Sequence, residues 1–321
     1  MDQKYEAFMK AAETGSFKGA ADLLGYTQAG ISYLISSLEK EMGTTLFLRD
    51  HAGARLTVDG QTLLPWIQDV YNSELALRSK LGEMRDLETG TVRIAASASV
   101  SIHWLPGIFE QFMARYPRIK LEVACFEDQE DMEGRVRAGE YDCCFLIEPS
   151  RRGFFTIPLM LDPLYVVVPP SHPLARERRF PSEALAREPY VKVRNDSYTE
   201  IDALFERHGV TPRTRLEMDN DFAVMGMVAK GLGYGVFPQL ILKDNPFDLA
   251  LLEPEFPSPR TIALAVRAYA KASFATRAFV EATRRWIGDM GSPLDNLARK
   301  RLAPLPDRDG LDALAQAAAT S

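Results

Sequence analysis

The chain has 321 residues and a formal net charge of −6, with 46% hydrophobic and 26% charged residues. This length allows two or three domains, and the composition is typical of a soluble globular protein. No apolar run approaches the roughly 18 residues of a membrane helix, and the first residues lack the hydrophobic region of a signal peptide. We therefore expect a cytoplasmic protein with no membrane partner.

The first 43 residues predict three helices. The first covers residues 3 to 14, and hydroxyl residues that can act as N-caps, Ser16 and Thr27, precede the second and third. In the third helix Ile31, Leu34, Ile35 and Leu38 recur at helical spacing and face inward, and Gly43 suits its C-terminal turn.

The opposite face of the third helix carries short, mostly uncharged side chains, which suit base edges in a major groove. They are Gln28, Ala29, Ser32, Tyr33 and Ser36. After this helix, residues 46 to 49 and 54 to 57 predict two short strands, joined as a hairpin and flanked by Arg49 and Arg55.

Residues 27 to 49 read Thr-Gln-Ala-Gly-Ile-Ser-x-x-Ile-x-x-Leu-Glu-x-x-Met-Gly-x-x-Leu-Phe-x-Arg. With Gly15-Ser16-Phe17 before it and Leu56-Thr57-x-x-Gly60 after it, this pattern resembles the DNA-binding signature of LysR-type transcriptional regulators. The alternative is an ordinary helix-turn-helix that serves only for packing within the protein. The resemblance implies a winged helix-turn-helix over residues 1–58, promoter DNA as partner, and phosphate contacts from Arg49 and Arg55, with Ser16 and Thr27 also at the DNA.

The predicted head is not basic, which is unusual for a DNA-binding domain. Its first sixty residues hold six Lys or Arg (4, 10, 18, 40, 49 and 55) against eight Asp or Glu (2, 6, 13, 22, 39, 41, 50 and 59). This balance argues against strong non-specific binding, so helix N-termini, hydroxyls and a few cations would have to contact the phosphates.

Residues 59–90 predict a long linker helix that ends in a hinge near residues 88 to 90. Apolar residues form a nearly continuous seam along it: Leu63, Leu64, Ile67, Val70, Leu77, Leu81, Met84 and Leu87. The small head cannot bury such a seam alone, so a partner helix is expected. The resemblance supplies that partner as a homodimer or homotetramer, and it allows contact with RNA polymerase.

From residue 91 onward predicted strands and helices alternate, which indicates a parallel sheet with helices on both faces. The strands are 91–97, 120–126, 141–147, 164–168, 190–193, 215–218, 235–237 and 262–266, and the helices include 102–116, 132–138 and 274–287. The resemblance implies an α/β effector-binding region, 91–290, like periplasmic binding proteins. Its subdomains would be 91–161 with 267–290, and 162–266. Residues 291–321 read as a variable tail, with a short helix at 310–319.

Ligands of such folds bind beyond the carboxyl ends of strands. The first strand runs into Ser97, Ser99, Ser101 and His103, where the family contacts its small-molecule effector, although one serine could simply cap the next helix. The loop 127–131 begins with Glu127 and is rich in acids, which departs from the family and weakens the case for an anionic effector.

Across the expected cleft lie Arg194, Ser197 and Asn220, completing the candidate effector site. Arg194 could pair with an anionic ligand or with the acidic loop.

The three cysteines predict neither disulfides nor a metal site, because there is no CxxC pair and no histidine at ligand spacing. Cys143 and Cys144 are adjacent in a predicted strand and read as inert buried thiols, although redox sensing is known in the family. We expect no cofactor. Two rival classes, a transported-solute receptor and an enzyme, lack a signal peptide and any known catalytic motif, respectively.

Overall fold

The computed structural model describes residues 3–50, 53–83, 89–150, 153–194 and 199–290. The predicted tail helix at 310–319 and the candidate effector residue Ser197 lie outside these ranges.

The N-terminal head is a three-helix unit with a wing. Its elements are α1 (Gln3–Thr14), α2 (Phe17–Leu24), α3 (Gln28–Met42), β1 (Phe47–Asp50) and β2 (Gly53–Leu56). The apolar faces close on a core that includes Phe8, Ile31 and Phe47, all buried. The carboxylate of Glu39 accepts hydrogen bonds from the backbone N–H groups of Leu46 and Phe47, at 2.8 and 3.1 Å, so α3 also holds the start of the wing.

The linker helix α4 (Val58–Glu83) leaves the head and continues as one helix. Ile67 is buried against the head, and Pro65 is tolerated within the early turns. Further along, Val70, Leu77 and Leu81 are exposed, with 54% of Leu77 accessible. The predicted last turn, to residue 87, falls outside the described residues.

The C-terminal region contains ten strands and eight α-helices within the described ranges. The strands are β3 (Gly90–Ala96), β4 (Ile119–Cys125), β5 (Cys143–Glu148), β6 (Phe155–Val168), β7 (Arg179–Phe180), β8 (Pro189–Val193), β9 (Arg213–Met218), β10 (Gly235–Pro238), β11 (Ala250–Pro254) and β12 (Pro259–Val266). The helices are α5 (Ala98–His103), α6 (Leu105–Arg115), α7 (Gln129–Ala138), α8 (Ser182–Arg187), α9 (Glu200–Arg207), α10 (Asp221–Ala229), α11 (Gln239–Leu242) and α12 (Phe274–Asp289).

The strands form a sheet of order β4-β3-β5-β12-β6-β11-β7, with β10 also paired to β6, and a separate β8-β9 pair. Pairing of β3 with β4 and β5 is parallel, whereas β12, β6, β10 and β11 pair antiparallel. The sheet is therefore mixed rather than purely parallel.

Strand β6 changes partners along its length. Residues 155–163 pair with β12, and residues 164–168 pair with β10 and β11. Two packed units follow, which we call subdomain I (β3, β4, β5, α5, α6, α7 and α12) and subdomain II (β8 to β11 and α8 to α11). Trp104 and Phe279 lie in the core of subdomain I, and Tyr190 and Tyr234 in that of subdomain II.

Two predicted elements differ from expectation, and one cysteine does not share the burial of the other two. The predicted helix 102–116 is two helices, α5 and α6, which meet at Trp104, because Pro106 has no N–H to continue a helix. The predicted strand 164–168 is only the second half of β6. Cys143 and Cys144 are buried as expected, and burial raises the pKa of both thiols, but Cys125 is exposed at the end of β4.

Candidate functional sites

The start of α3 is fixed by its own N-cap. Thr27 Oγ1 accepts a hydrogen bond from Gly30 N at 3.1 Å, and Ser16 Oγ accepts one from Gly19 N at 3.2 Å at the start of α2. Both hydroxyls that the sequence placed at the DNA therefore position helix N-termini. The first-turn amides of these helices then point outward, where a phosphate can accept from them.

The outer face of α3 is a continuous exposed stripe. Thr27, Gln28, Ala29, Tyr33 and Ser36 are exposed, with 75% of Tyr33 accessible, and Ser32 is half-buried. Positions 28, 29, 32, 33 and 36 are spaced by one helical turn or less, so they share one face. This face offers amide and hydroxyl groups and no formal charge.

The wing lies beside the helix-turn-helix because its backbone is tied to the turn before α2. Ala54 N donates to Gly15 O at 2.8 Å, and Gly53 has φ +136° with no room for a Cβ, which would lie 2.5 Å from that same oxygen. Arg55 is exposed on β2, and Arg49 pairs with Ala54 through the backbone of β1. The role of Gly53 in holding the wing was not predicted from the sequence.

In subdomain I the predicted serines gather after β3. Ser97 precedes α5, its Oγ lies 3.2 Å from Ser99 Oγ, and Ser99 is buried. Ser101 Oγ instead faces β4, where it accepts from Cys125 Sγ at 3.1 Å. His103 Nε2 is buried without a hydrogen-bond partner among the described residues, and burial, then the charge of Lys243, lowers its pKa.

The acid-rich loop divides into a cap and an exposed carboxylate. Asp128 Oδ1 accepts from Asp131 N at 2.8 Å and so caps α7, and the Gln129 side chain bonds both backbone groups of Ile147. Glu127 is exposed. Of the two acids, Glu127 is the one available to a ligand.

In subdomain II the two predicted residues that the structure describes, Arg194 and Asn220, already have partners within the chain. Arg194 Nη2 lies 3.4 Å from Asp219 Oδ2, in an exposed pair. Asn220 Oδ1 accepts from Ala223 N at 3.0 Å and caps α10. Asn220 Oδ1 is therefore already used in capping α10, and the guanidinium of Arg194 already has a carboxylate partner within the chain.

Sequence reasoning missed an ion-pair cluster where the two subdomains join. Arg260 on β12 and Asp162 on β6 are cross-strand partners, with Arg260 Nε 2.9 Å from Asp162 Oδ2. Arg260 Nη1 lies 2.6 Å from Glu200 Oε1 at the start of α9, and Asp162 Oδ1 accepts from Leu240 N at 2.8 Å. The sequence does contain a signal for this cluster, because Asp162 and Arg260 are charged residues within otherwise apolar strands.

A further carboxylate, Asp221, is the first residue of α10 and is partly buried. Burial, and then the negative charge of Glu127, raise the pKa of Asp221 from 3.8 to about 6, while Arg260 lowers it and Glu200 raises it.

The linker helix contacts subdomain I through polar groups, which we call the linker latch: Asp69 and Asn72 of α4 with Arg93, Gly139 and Arg267. Asn72 accepts from Arg93 Nη2 and donates to Gly139 O, both at 3.2 Å, and Arg267 pairs with Asp69. Arg93 also pairs with Asp142 at 2.9 Å. The latch joins the helix that carries the head to the subdomain that carries Ser97.

A winged head, a long helix with an exposed apolar seam and two joined α/β subdomains define a DNA-binding regulator with a separate sensor. Residues 3–61 match the model of the bacterial regulatory helix-turn-helix protein, lysR family, and residues 85–288 match that of the LysR substrate binding domain. The chain belongs to the LysR family, and it is a transcriptional regulator whose DNA binding is modulated by a small-molecule effector.

Three similar proteins illustrate the match. The uncharacterized regulator YvbU of Bacillus subtilis is 27% identical over 289 residues, 88% of this chain and 97% of the relative. A full-length OxyR variant from Pseudomonas aeruginosa is 21% identical with a TM-score of 0.73, covering 95% of this chain and 99% of its own. The CcmR regulatory domain of Synechocystis, solved in complex with 2-PG, is 26% identical with a TM-score of 0.58, covering 63% and 99%.

The helices of the described ranges include none long and apolar enough to cross a membrane. The same ranges contain no group of three or more His, Cys, Asp or Glu arranged to hold a metal ion.

Proposed function

We propose that the head reads promoter DNA by inserting α3 into a major groove. The observation that carries this assignment is the exposed, uncharged stripe of α3, whose N-terminus is fixed by the Thr27 cap. Base contacts come from Gln28, Ser32 and Tyr33, with Ala29 and Ser36 beside them. Arg55, together with Arg49 and the amides after Ser16 and Thr27, contacts phosphates.

The chain divides in this proposal into a head (1–58), a linker helix (59–90), an effector domain (91–290) and a C-terminal tail (291–321). The effector domain comprises residues 91–161 with 267–290, and 162–266. The partner change within β6 near residue 163 supports the division between the two subdomains.

The linker helices of two chains pack together and make the protein a homodimer, which can pair further into a tetramer. The exposed positions Val70, Leu77 and Leu81 support this assembly, because a row of large apolar side chains in water is unfavourable. A dimer presents two copies of α3 to the DNA and therefore binds a dyad-symmetric site. Such a complex acts in the cytoplasm, beside RNA polymerase, and catalyses no reaction.

The effector binds between the subdomains, against Ser97 and Ser99 on one side and the loop that begins at Arg194 on the other. In this proposal Glu127, Ser101 and His103 contribute to the subdomain I side of the cleft and Asn220 to the subdomain II side, while the candidate Ser197 lies outside the described residues. A ligand that touches both subdomains shifts their equilibrium by its difference in affinity for the open and closed arrangements. The linker latch transmits the change in the arrangement of the subdomains to α4.

A gel-shift titration on the intergenic DNA upstream of the gene tests DNA binding, and a reporter fused to that promoter tests the response. Ser97→Ala with Ser99→Ala should remove the effector response of the reporter while the gel shift keeps its wild-type affinity, because the head is a separate domain. Ser182→Ala, which removes a hydroxyl bonded to Glu255 in subdomain II, is the matched control. Failure of the wild-type chain to prefer this DNA over random sequence would contradict the proposal.

A further inference from the structure

We propose that Arg260 is a positioning residue that couples the two sides of the effector cleft, because its guanidinium joins α9 of subdomain II to the strands that enter subdomain I. In this role it contacts neither the DNA nor the effector. The inference rests on the proposed function, which it deepens by naming a contact through which one subdomain acts on the other. We call Arg260, Asp162, Glu200 and the backbone N–H of Leu240 the Arg260 cluster.

The Arg260 cluster lies where the chain passes from one subdomain to the other. Strand β12 pairs with β5 of subdomain I from Val266 back to Thr261, and that ladder ends there. Arg260 is the next residue, and its cross-strand partner on β6 is Asp162. Beyond Asp162, residues 164–168 of β6 pair with β10 and β11 of subdomain II. A contact at this position can therefore act on both subdomains.

The guanidinium of Arg260 uses all three of its nitrogens to join the two strands to α9. Nε and Nη2 each lie 2.9 Å from Asp162 Oδ2, and Nη1 lies 2.6 Å from Oε1 of Glu200, the first residue of α9. A planar guanidinium presents its N–H groups in a fixed arrangement, so it also fixes the separation of the two carboxylates. The start of α9 is therefore attached to β6 and β12.

The other end of α9 is attached to the segment that leads into β12. Arg207 Nη1 donates to Ser258 Oγ at 2.8 Å, and Phe256 N donates to His208 Nε2 at 3.2 Å. Ser258 is buried. Because α9 is held at both ends to residues 256–260, it cannot shift without moving the start of β12.

The Arg260 cluster reaches subdomain I through Leu240, the second residue of α11. Asp162 Oδ1 accepts a hydrogen bond from Leu240 N at 2.8 Å. The side chain of Leu240 is buried in the same apolar core as Trp104 of subdomain I. Helix α11 also packs against α5, the helix that follows Ser97. A continuous set of contacts therefore runs from α9 to the helix that begins at the effector serines.

Burial makes these contacts difficult to exchange for contacts with water. Asp162 is 1% exposed, and the side chain of Arg260 is 10% exposed. Separating one of these charges from its partner would leave it without either solvent or a counter-ion, which is costly. We therefore expect the Arg260 cluster to keep its geometry when the subdomains move.

The cluster gives the proposed effector a physical connection between the subdomains. Helix α9 follows the loop that begins at Arg194, and α5 follows Ser97. A ligand that contacts both sides changes the position of α9 relative to α5, and buried, hydrogen-bonded groups between two sites can carry such coupling. Loss of the Glu200 contact should therefore weaken the coupling without removing a residue that binds the effector or DNA.

The test changes Glu200, because replacing Arg260 would leave Asp162 buried without a counter-ion and would destabilise the whole fold. The side chain of Glu200 is 26% exposed. Hydrogen exchange of the full-length chain without ligand, followed by mass spectrometry, should show faster exchange in Glu200→Ala by roughly 10-fold in peptides from α9, α11 and α5. This is the lower end of the range for losing a hydrogen bond to a charged group.

Two variants control for other effects of the substitution. Glu200→Gln keeps an oxygen that can accept from Arg260 Nη1, so it should retain most of the protection from exchange. Glu183→Ala removes an exposed carboxylate from the first turn of α8, which is also in subdomain II. This variant should exchange as the wild type does in α11 and α5.

Three exchange results would overturn the inference. Faster exchange confined to α9 in Glu200→Ala would show that the contact is local. An equal loss of protection in Glu200→Gln would assign the effect to the negative charge at the start of α9 rather than to the contact with Arg260. Equal acceleration in Glu183→Ala would show that the effect is not specific to the Arg260 cluster.

The promoter reporter tests the functional consequence of the same change. Glu200→Ala should lose most of the effector response, while the gel shift keeps its wild-type affinity because the head is intact. An unchanged response would overturn the positioning role of Arg260. A wild-type chain that does not prefer promoter DNA in the gel shift would instead reject the proposed function and leave the exchange result standing, so the two failures are distinguishable.

Discussion

Asp221→Asn removes a carboxylate whose ionisation is disfavoured in the folded chain. Burial and the charge of Glu127 raise the pKa of Asp221 from 3.8 to about 6. Between these two values the folded state holds a proton that the unfolded state has released, so the free energy of unfolding falls as the pH rises through this window. A shift of about two units, at about 1.4 kcal/mol per unit, sets an upper limit of about 3 kcal/mol.

The asparagine side chain does not ionise. The free energy of unfolding of the variant should therefore equal that of the wild type at about pH 4 and exceed it by the full amount above about pH 7. Because Asp221 is partly exposed, solvent screening reduces the effect, and we expect about 1–3 kcal/mol. Scanning calorimetry of the full chain at both pH values should show the midpoint of the variant rising relative to the wild type by several degrees. Asp219→Asn, in an exposed ion pair, is the control and should show little change. An Asp221→Asn difference that is the same at both pH values would refute the reasoning.

Three further predictions concern DNA reading, assembly and coupling. Gln28→Ala should cost about 1–3 kcal/mol at the preferred site and much less on random DNA, measured by fluorescence anisotropy, and an equal loss on both would show that the side chain does not read sequence. Leu77→Asp should give monomers or aggregates in sedimentation velocity, whereas a soluble dimer would place the interface elsewhere. Asn72→Ala, which removes the bonds to Arg93 and Gly139, should weaken the effector response in the reporter without changing DNA affinity, and an unchanged response would exclude the latch from coupling.

The head was predictable from sequence because its boundaries depend on local chemistry. Ser16 and Thr27 are N-caps that bond an amide three residues later, and Gly43 adopts the left-handed conformation at the end of α3, with φ +70°. Each of these choices involves neighbours in the chain, so a short motif contains all the information needed.

The join between the subdomains was not predictable in the same way. Residues 155 to 163 include Pro158, Asp162 and Pro163, residue types that are typical of loops. The sequence therefore does not predict that this segment is the first half of β6. The pairing of Asp162 with Arg260 spans 98 residues and depends on the register of β6 against β12. The residues that neighbour Asp162 and Arg260 in the sequence do not determine that register.

The candidate effector residues show a second limit. Short polar residues before a helix serve equally well as ligand contacts and as caps, and Asn220 and Asp128 cap α10 and α7. Ser97, by contrast, bonds Ser99 and makes no side-chain cap to a described residue of α5. Only the positions of the hydrogen-bond partners separate the two uses.

The central claim is that two copies of α3 read one DNA site together. Selection of bound fragments from a library of random double-stranded DNA, with the purified full-length chain, tests it most directly. We expect enrichment of an inverted repeat whose half-sites are separated by about one helical turn, or a multiple of it, and loss of the consensus in Gln28→Ala. Recovery of fragments without a shared motif, or of a motif that Gln28→Ala leaves unchanged, would contradict it.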